Sequence, residues 1–317
     1  MKEDKSIYII KPSLSIKYRK FCNMIYKGYH KDFIFKQNDT VSINIPNLMN
    51  ILIDKLKPVK NYSYARHVTY KQIDIINGII DVLNNNTYWT RYKGIVKGKY
   101  LNEKHNEYCN WGVYECMYLI ILELYFKDNK YTKLKHQSID TTFIRNLYGT
   151  EMIQRNPHYK SKNGIKVSSI IDDNGVSFSY AIAKGAKNDA KIALEQINNN
   201  FIDVNTKQVK NNNRYKQIFY GDAMYDNKEL INALKKKKYK PIIDVNIRNT
   251  KNAAKRKQLK KRKNEYIKVR NKRAKIEISY VWIHKYPKLD RFVEKTIKSY
   301  SGLLLLASAM IVNKKLS

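Results

Sequence analysis

Cysteine is scarce: Cys22, Cys109 and Cys116 are the three in a chain of 317 residues. So few in so long a chain give no disulfide framework and fit a reducing compartment. Long apolar runs are missing as well. Crossing a bilayer takes roughly 18 to 20 consecutive apolar residues. The longest candidate, 302–312, is too short and reads as a buried helix, in keeping with a mean hydropathy of −0.61. The opening residues MKEDKS are charged and no apolar stretch follows them, so no secretory signal is expected. A glycine-rich phosphate loop and a dinucleotide fingerprint are both absent. Acidic residues are few: 27 Asp and Glu face 62 Lys and Arg, a formal charge of +35.

Hydrophobic residues make up 43% of the sequence, enough for the core of one large or two modest domains and too many for disorder throughout. A charge of +35 repels itself unless a polyanion neutralises it. Nucleic acid is the first candidate, because each Lys or Arg that meets a phosphate releases condensed counterions. An anionic membrane surface would call for basic residues gathered on one amphipathic helix, and they are not so confined. Part of the excess is compositional, since Lys, Asn, Ile and Tyr dominate as in proteins of AT-rich genomes.

Three segments are expected. Residues 1–65 are basic and mixed, carry no recognisable chemistry, and end near a linker at Lys57-Pro58-Val59-Lys60-Asn61. Residues 66–131 read as helical: Ile73, Ile76, Ile79, Ile80 and Leu83 recur at helical spacing, Asn84-Asn85-Asn86 ends that helix, and a second is expected from Glu107 to Phe126. Two readings of this pair stand side by side, DNA recognition and packing against the rest of the chain. Residues 132–317 alternate strand and helix. Strands are expected at 136–144, 165–171, 176–182, 217–222 and 241–245, with a hairpin turn at Asp172-Asp173-Asn174-Gly175. Helices are expected behind Asn188-Asp189, behind a capping box at Asp226-Asn227-Lys228-Glu229, and from near Lys275. The resulting class is α/β, a mixed five-stranded sheet with flanking helices, preceded by a helical N-terminal region.

Three acids sit where such a fold can gather them: Asp140 in the first strand, Asp222 at the end of the fourth, and Glu277 on the last helix. Taken singly, an Asp in a strand is more often a salt-bridge partner or a cap. Taken together, three carboxylates repel one another until a divalent cation arrives. Their hard oxygens suit Mg²⁺ or Mn²⁺ rather than zinc. Two such ions can activate a water or a 3′-hydroxyl for phosphodiester displacement.

The motifs around these acids resemble the DDE transposases of bacterial insertion sequences, whose catalytic core is RNase H-like. Asp140 stands in IDTTFIRN, similar to the family's first-Asp strand, and Asp222 in YGDAMYDN, similar to the second-Asp motif with its following Tyr225-Asp226. Lys162-Asn163-Gly164-Ile165-Lys166 and IIDDNG resemble the family's intervening strand and hairpin. Glu277 stands in KRAKIEISYVWIHKYPKLDRFVEK, with Arg273 four residues before it and Trp282 five after it, as in the third motif. Upstream, GIIDVLNNNTYWTRY and Trp111-Gly112 resemble the family's N-terminal region. The sequence departs from the family at Ile278, where Arg is common, and at His284, where several relatives carry Lys.

The resemblance implies an enzyme that binds two Mg²⁺ or Mn²⁺ through Asp140, Asp222 and Glu277, cuts double-stranded DNA at the inverted-repeat ends of an element, and joins the ends to target DNA. A homodimer on DNA is expected, and no membrane partner. Arg273, Trp282 and Tyr225 would support the site. Arg273 reads as a phosphate ligand or as an ion-pair partner of Glu277, His284 as a DNA contact or a surface residue, and Trp282 as a stacking platform or a core residue. Between Lys251 and Lys275 thirteen Lys or Arg face one acid, Glu265, within a basic insertion at about 246–274. Such a run is a solvated helix or lies along a duplex. Its expected DNA contacts are Lys255, Arg256, Lys257, Lys260, Lys261, Arg262, Lys263 and Arg270. The KRKQLKKRK core also matches a nuclear-localisation patch, so a bacterial cytoplasm and a eukaryotic nucleus or virus both remain as settings. His105, Cys109 and Cys116 lack the paired spacing and the fourth ligand of a zinc site. Alternative readings are an inactive or repurposed DNA-binding derivative and a simple Mg²⁺-dependent nuclease of the same core.

Overall fold

A computed structural model describes residues 6–10, 16–37, 40–58, 70–85, 87–127, 130–199, 217–247 and 252–316. Residues 59–61 of the expected linker lie outside these. The elements begin β1 (Ile7–Ile10), α1 (Ile16–Phe33), β2 (Ile34–Gln37), β3 (Thr40–Ile43), α2 (Ile45–Leu56), α3 (Gln72–Asn84), α4 (Gly98–Trp111), α5 (Val113–Tyr125) and α6 (Lys130–Leu134). There follow β4 (His136–Asn146), β5 (Gln154–Asn156), β6 (Lys162–Ile171), β7 (Ser177–Lys184), α7 (Asp189–Gln196), β8 (Gln217–Gly221), α8 (Lys228–Lys236) and β9 (Tyr239–Ile243). The last are α9 (Ala253–His284), α10 (Pro287–Asp290), β10 (Arg291–Phe292) and α11 (Ile297–Asn313).

Contacts sort the chain into two units. One comprises Met1–Lys11, Phe126–Arg145 and Met152–Val281; the other comprises Pro12–Tyr125, Asn146–Glu151 and Trp282–Ser317. These units cut across the expected segments 1–65, 66–131 and 132–317: β1 groups with the sheet, and residues 282–317 group with the helices.

The sheet unit orders its strands β1-β7-β6-β4-β8-β9, with β5 bonded to β6. β6 and β7 form the expected hairpin, whose turn is held by Asp172 Oδ1 accepting from the amides of Asn174 and Val176 at 2.9 and 2.8 Å, with Gly175 at φ 79°. β4 runs antiparallel to β6 and parallel to β8, and β8 runs parallel to β9. Three antiparallel strands followed by two parallel ones make the RNase H-like arrangement that the resemblance implies. β1 and β5 are additions to the expected five strands. β1 pairs antiparallel along β7, from Ile7 opposite Ala183 to Ile10 opposite Tyr180, and so covers an edge that would otherwise invite pairing with another chain. Apolar residues alternate along β7 in sequence, yet every residue but the last is buried. Both of its faces are covered, since Phe178 meets Phe126 while Ser177 bonds Ser279 of α9.

Two helix boundaries differ from expectation for local reasons. The α8 cap is Asn227, whose side chain accepts from the amides of Glu229 and Leu230, whereas the expected cap, Asp226, instead pairs with Arg262 at 2.8 Å. α9 begins at Ala253, well before Lys275. Its basic run is built of helix formers without Gly or Pro. Three ion pairs pin it to the sheet unit: Arg262 to Asp226, Lys263 to Asp244 at 2.6 Å, and Lys240 to Glu265 at 2.7 Å.

In the helical unit, the helix expected from Glu107 to Phe126 is two helices. Gly112 adopts φ 76°, ψ 25°, a left-handed conformation that ends α4 and that other residues enter only at a cost of about 1–2 kcal/mol. The break lets α5 bury nearly every residue against α2 and α11. α11 carries Leu303 to Leu306 in the core, as expected of that run. At Gly302 a Cβ would sit 2.5 Å from Cys109 Sγ, so the helices approach this closely because the side chain is missing. His105 is buried, with Nδ1 2.7 Å from Tyr114 Oη and Nε2 3.0 Å from Ser299 O; burial, above all, lowers its pKa. Among the described residues no helix is long and apolar enough to cross a membrane.

The helical unit also buries an ion pair. Lys288 and Glu294 are 3% and 4% exposed and 3.2 Å apart, and Glu294 accepts further bonds from Trp89 Nε1 at 3.0 Å and Ser299 Oγ at 2.6 Å. Burial alone would raise the Glu294 pKa, but Lys288, His105 and the Ser299 bond outweigh it, so the carboxyl lies below its ordinary range. Removing one partner leaves a buried charge uncompensated. Glu294→Gln is expected to cost about 3–5 kcal/mol in chemical denaturation, and Lys288→Met added to it to recover most of that loss.

Candidate active site

The register of the sheet brings the first two acids together. β4 and β8 pair in parallel from His136 opposite Ile218 to Ser138 opposite Tyr220. Two residues further on stand Asp140, inside β4, and Asp222, just past the end of β8. Asp140 Oδ1 accepts from the Thr141 amide at 2.8 Å, and Asp222 Oδ1 accepts from the Met224 amide at 2.8 Å, capping the short turn Ala223–Tyr225. Each Asp therefore has one oxygen fixed by its own backbone and one left over. Tyr225 is buried and bonds Thr141 Oγ1 through its hydroxyl at 2.8 Å, which ties the turn after Asp222 to the strand of Asp140.

α9 supplies the third acid. It crosses the sheet with Ile276 buried, with Ser138 Oγ donating to Lys272 O at 3.1 Å, and with the Tyr280 hydroxyl donating to Asp140 O at 2.6 Å. Lys272 and Lys275 clamp the helix to Asp173 at 3.1 and 2.7 Å. Arg273 and Glu277, one turn apart, thereby stand over the two aspartates.

The carboxylates converge on the Arg273 guanidinium. Its Nη2 lies 2.6 Å from Asp140 Oδ2 and 3.8 Å from Asp222 Oδ2, and its Nη1 lies 2.7 Å from Glu277 Oε1. The Arg273 side chain is 17% exposed and that of Glu277 63%, so the cation lies beneath the glutamate. Arg273 Nε is buried and finds no hydrogen-bond partner among the described residues. Also among the described residues, no three His, Cys, Asp or Glu side chains are close enough to hold a metal. The donor chemistry nonetheless fits a hard divalent cation: Asp140 Oδ2 and Asp222 Oδ2 are carboxylate oxygens facing one nitrogen, and Glu277 is exposed enough to swing.

Burial pushes the Asp140 carboxyl up to about 6, with Asp222 and Asp189 adding to the rise and the Arg273 charge and the Thr141 amide opposing it. Asp189 is a residue that sequence reasoning placed only as a helix start. It accepts from Lys166 Nζ at 2.8 Å, and Lys166 also reaches Lys187 O at 2.9 Å. An acid opening α7 opposite a basic residue of β6 was the available signal for this pair.

The other expected residues are spread along α9. Lys255, Arg256, Lys257, Lys260, Lys261 and Arg270 are exposed, whereas Arg262 and Lys263 have acidic partners. Trp282 and His284 fall in the helical unit, where Lys315 Nζ lies 4.5 Å from the Trp282 ring and His284 Nδ1 lies 3.1 Å from Asp290 Oδ1.

A family model described as Transposase DDE domain matches residues 131–312. The chain belongs to the DDE transposase family. The match opens in α6, just ahead of the Asp140 strand, and closes in α11, so it takes in all three acids and Arg273. DDE transposases act on DNA and generally depend on divalent metal. No curated protein and no solved structure matches this DDE transposase.

Folded DDE transposase keeps the proton on Asp140 up to about pH 6, whereas an unfolded chain gives it up near pH 3.9. The folded protein therefore loses stability as pH rises through that window, and above it the loss levels at about 3 kcal/mol. With EDTA present, Asp140→Asn is expected to melt above wild type at pH 8 and together with it at pH 4. A gap of the same size at both pH values would contradict the burial of this carboxylate.

Proposed function

We propose that the chain cuts DNA at the ends of a mobile element and joins the freed 3′-hydroxyls to target DNA, with Asp140, Asp222 and Glu277 as the catalytic acids. The observation that carries this reading is the convergence of three acids, distant in sequence, on one half-buried guanidinium beside the middle of β4 and the C-terminal end of β8. Two Mg²⁺ or Mn²⁺ held by these acids would supply an activated water or 3′-hydroxyl and stabilise the leaving oxygen.

The chain's own groups prepare for that chemistry. The Thr141 and Met224 amides hold Asp140 and Asp222 with one oxygen of each turned to the site. Tyr225 and Tyr280 fix the two strands and α9 relative to one another through Thr141 Oγ1 and Asp140 O. Arg273 is a counter-ion that keeps the acids from repelling one another. In the conformation that serves all three, its Nε donates to nothing among the described residues, at a cost of about 1–3 kcal/mol. With divalent cations on the acids, the Arg273 guanidinium would be available to hold a phosphate of the substrate strand through two parallel N–H bonds. The exposed cations of α9 from Lys255 to Arg270 would add non-specific affinity along the duplex. Cutting two ends in concert calls for a homodimer on DNA.

The test is an end-labelled duplex carrying the element's terminal repeats, incubated with Mg²⁺. Wild type is expected to nick and join it. Asp140→Asn, Asp222→Asn and Glu277→Gln are each expected to lose about a hundredfold or more in rate, with gel-shift affinity kept or raised because a negative charge has left the phosphates. Nicking without joining favours a nuclease, and wild-type binding without cutting favours a repurposed binder.

A further inference from the structure

A second cluster, of opposite sign, lies in the sheet unit. Arg145 near the end of β4, and His158, Lys160 and Lys162 around the turn from β5 into β6, line a cavity of about 310 Å³ together with Phe143 and Tyr159. No acid lines it, and among the described residues none of these basic side chains has an ion-pair partner. Three permanent cations and an imidazole around one small cavity repel one another unless an anion sits among them.

The site is preformed. Asn156 is buried, donates to Gly185 O at 2.7 Å and accepts from the His158 amide at 3.0 Å, which fixes the start of the turn Pro157–Tyr159. Lys160 and Ser161 then adopt φ 54° and 53°, left-handed conformations for two residues that are not glycine. A right-handed turn passing into left-handed residues directs successive backbone N–H groups into one concavity, a known form of anion nest. The wall is rigid as well, since Phe143 and Tyr159 stack with ring centroids 4.6 Å apart. Gly164 makes room for this stack, because a Cβ there would meet Phe143 Cζ at 2.6 Å.

We propose that this cavity is a phosphate subsite that seats the backbone of the DNA strand beside the catalytic acids. The inference rests on the reading of DNA as substrate. Its placement is supported by β4 itself: Phe143 stands three residues beyond Asp140 on the same strand and pairs in register with Lys166, which bonds Asp189, and the charges of Asp189 and Asp140 add to the burial that raises the Tyr159 phenol pKa. Side chains here were not among the DNA contacts expected from sequence, because Arg145, His158, Lys160 and Lys162 are scattered in the chain rather than forming a run.

The test measures affinity of the full chain for a fluorescent duplex across a salt series. The variants are Arg145→Gln with Lys160→Gln and Lys162→Gln, and a control that loses exposed charge elsewhere, Lys235→Gln with Lys236→Gln on α8. The triple variant is expected to bind about tenfold or more weakly, with the slope of log affinity against log salt reduced by about one for each lost phosphate contact. The control is expected to leave both nearly unchanged. In wild type, Lys160 and Lys162 are expected to be protected from acylation by the duplex and not by inorganic phosphate, a readout that does not depend on how the variants fold. Equal effects of triple variant and control, or acylation unaffected by DNA, overturn the subsite while leaving the proposed function standing. Absence of any DNA binding by wild type overturns both.

Discussion

One guanidinium serving three carboxylates is the interaction around which the candidate site is arranged. Acids within one strand, just past the end of its neighbour and on a crossing helix repel one another, and burial magnifies the repulsion. Arg273 relieves it from the same helix turn that carries Glu277, so the sequence that places the third acid also places its counter-ion. The rise in the Asp140 pKa to about 6 shows that the relief is partial. Burial remains the dominant influence on this carboxyl, and a site left with that imbalance has a use for a further cation.

Backbone geometry rather than side-chain proximity sets up the convergence. The parallel pairing of β4 and β8 makes Asp140 and Asp222 neighbours, and their own flanking amides turn one oxygen of each toward α9. The helix is held in place by apolar burial at Ile276, by Tyr280 bonding into β4, and by two lysines on Asp173. Its basic N-terminal half is not held by a core. It is anchored by three ion pairs and leaves its other cations in solvent, an arrangement suited to a polyanion.

Much of this was legible in the sequence. The five core strands, the hairpin at 172–175 and the Asn188 cap each follow from local chemistry, and the three acids stood out against a basic background. What was missed depends on partners distant in the chain. β1 has no pattern that names β7 as its neighbour. The break at Gly112 hides inside an apolar run that reads as one helix. The basic stretch of α9 was open to a helical reading, but its continuity with the helix of Glu277 was not legible, because ion pairs with Asp226 and Asp244 rather than an apolar face do the anchoring. Arg273 was legible as a partner of Glu277 from its spacing, but its bond to Asp140, 133 residues away, is a tertiary fact.

The proposed account makes Arg273 and divalent metal alternative occupants of the same oxygens, Asp140 Oδ2 and Asp222 Oδ2. Titration of Mn²⁺ into the DNA-free protein, followed by calorimetry or by loss of the free-ion magnetic resonance signal, tests this directly. Arg273→Gln is predicted to bind Mn²⁺ more tightly than wild type, because a competing cation has been removed, and Asp140→Asn with Asp222→Asn to bind it at least about tenfold more weakly. Mn²⁺ affinity indifferent to all three substitutions would contradict the account.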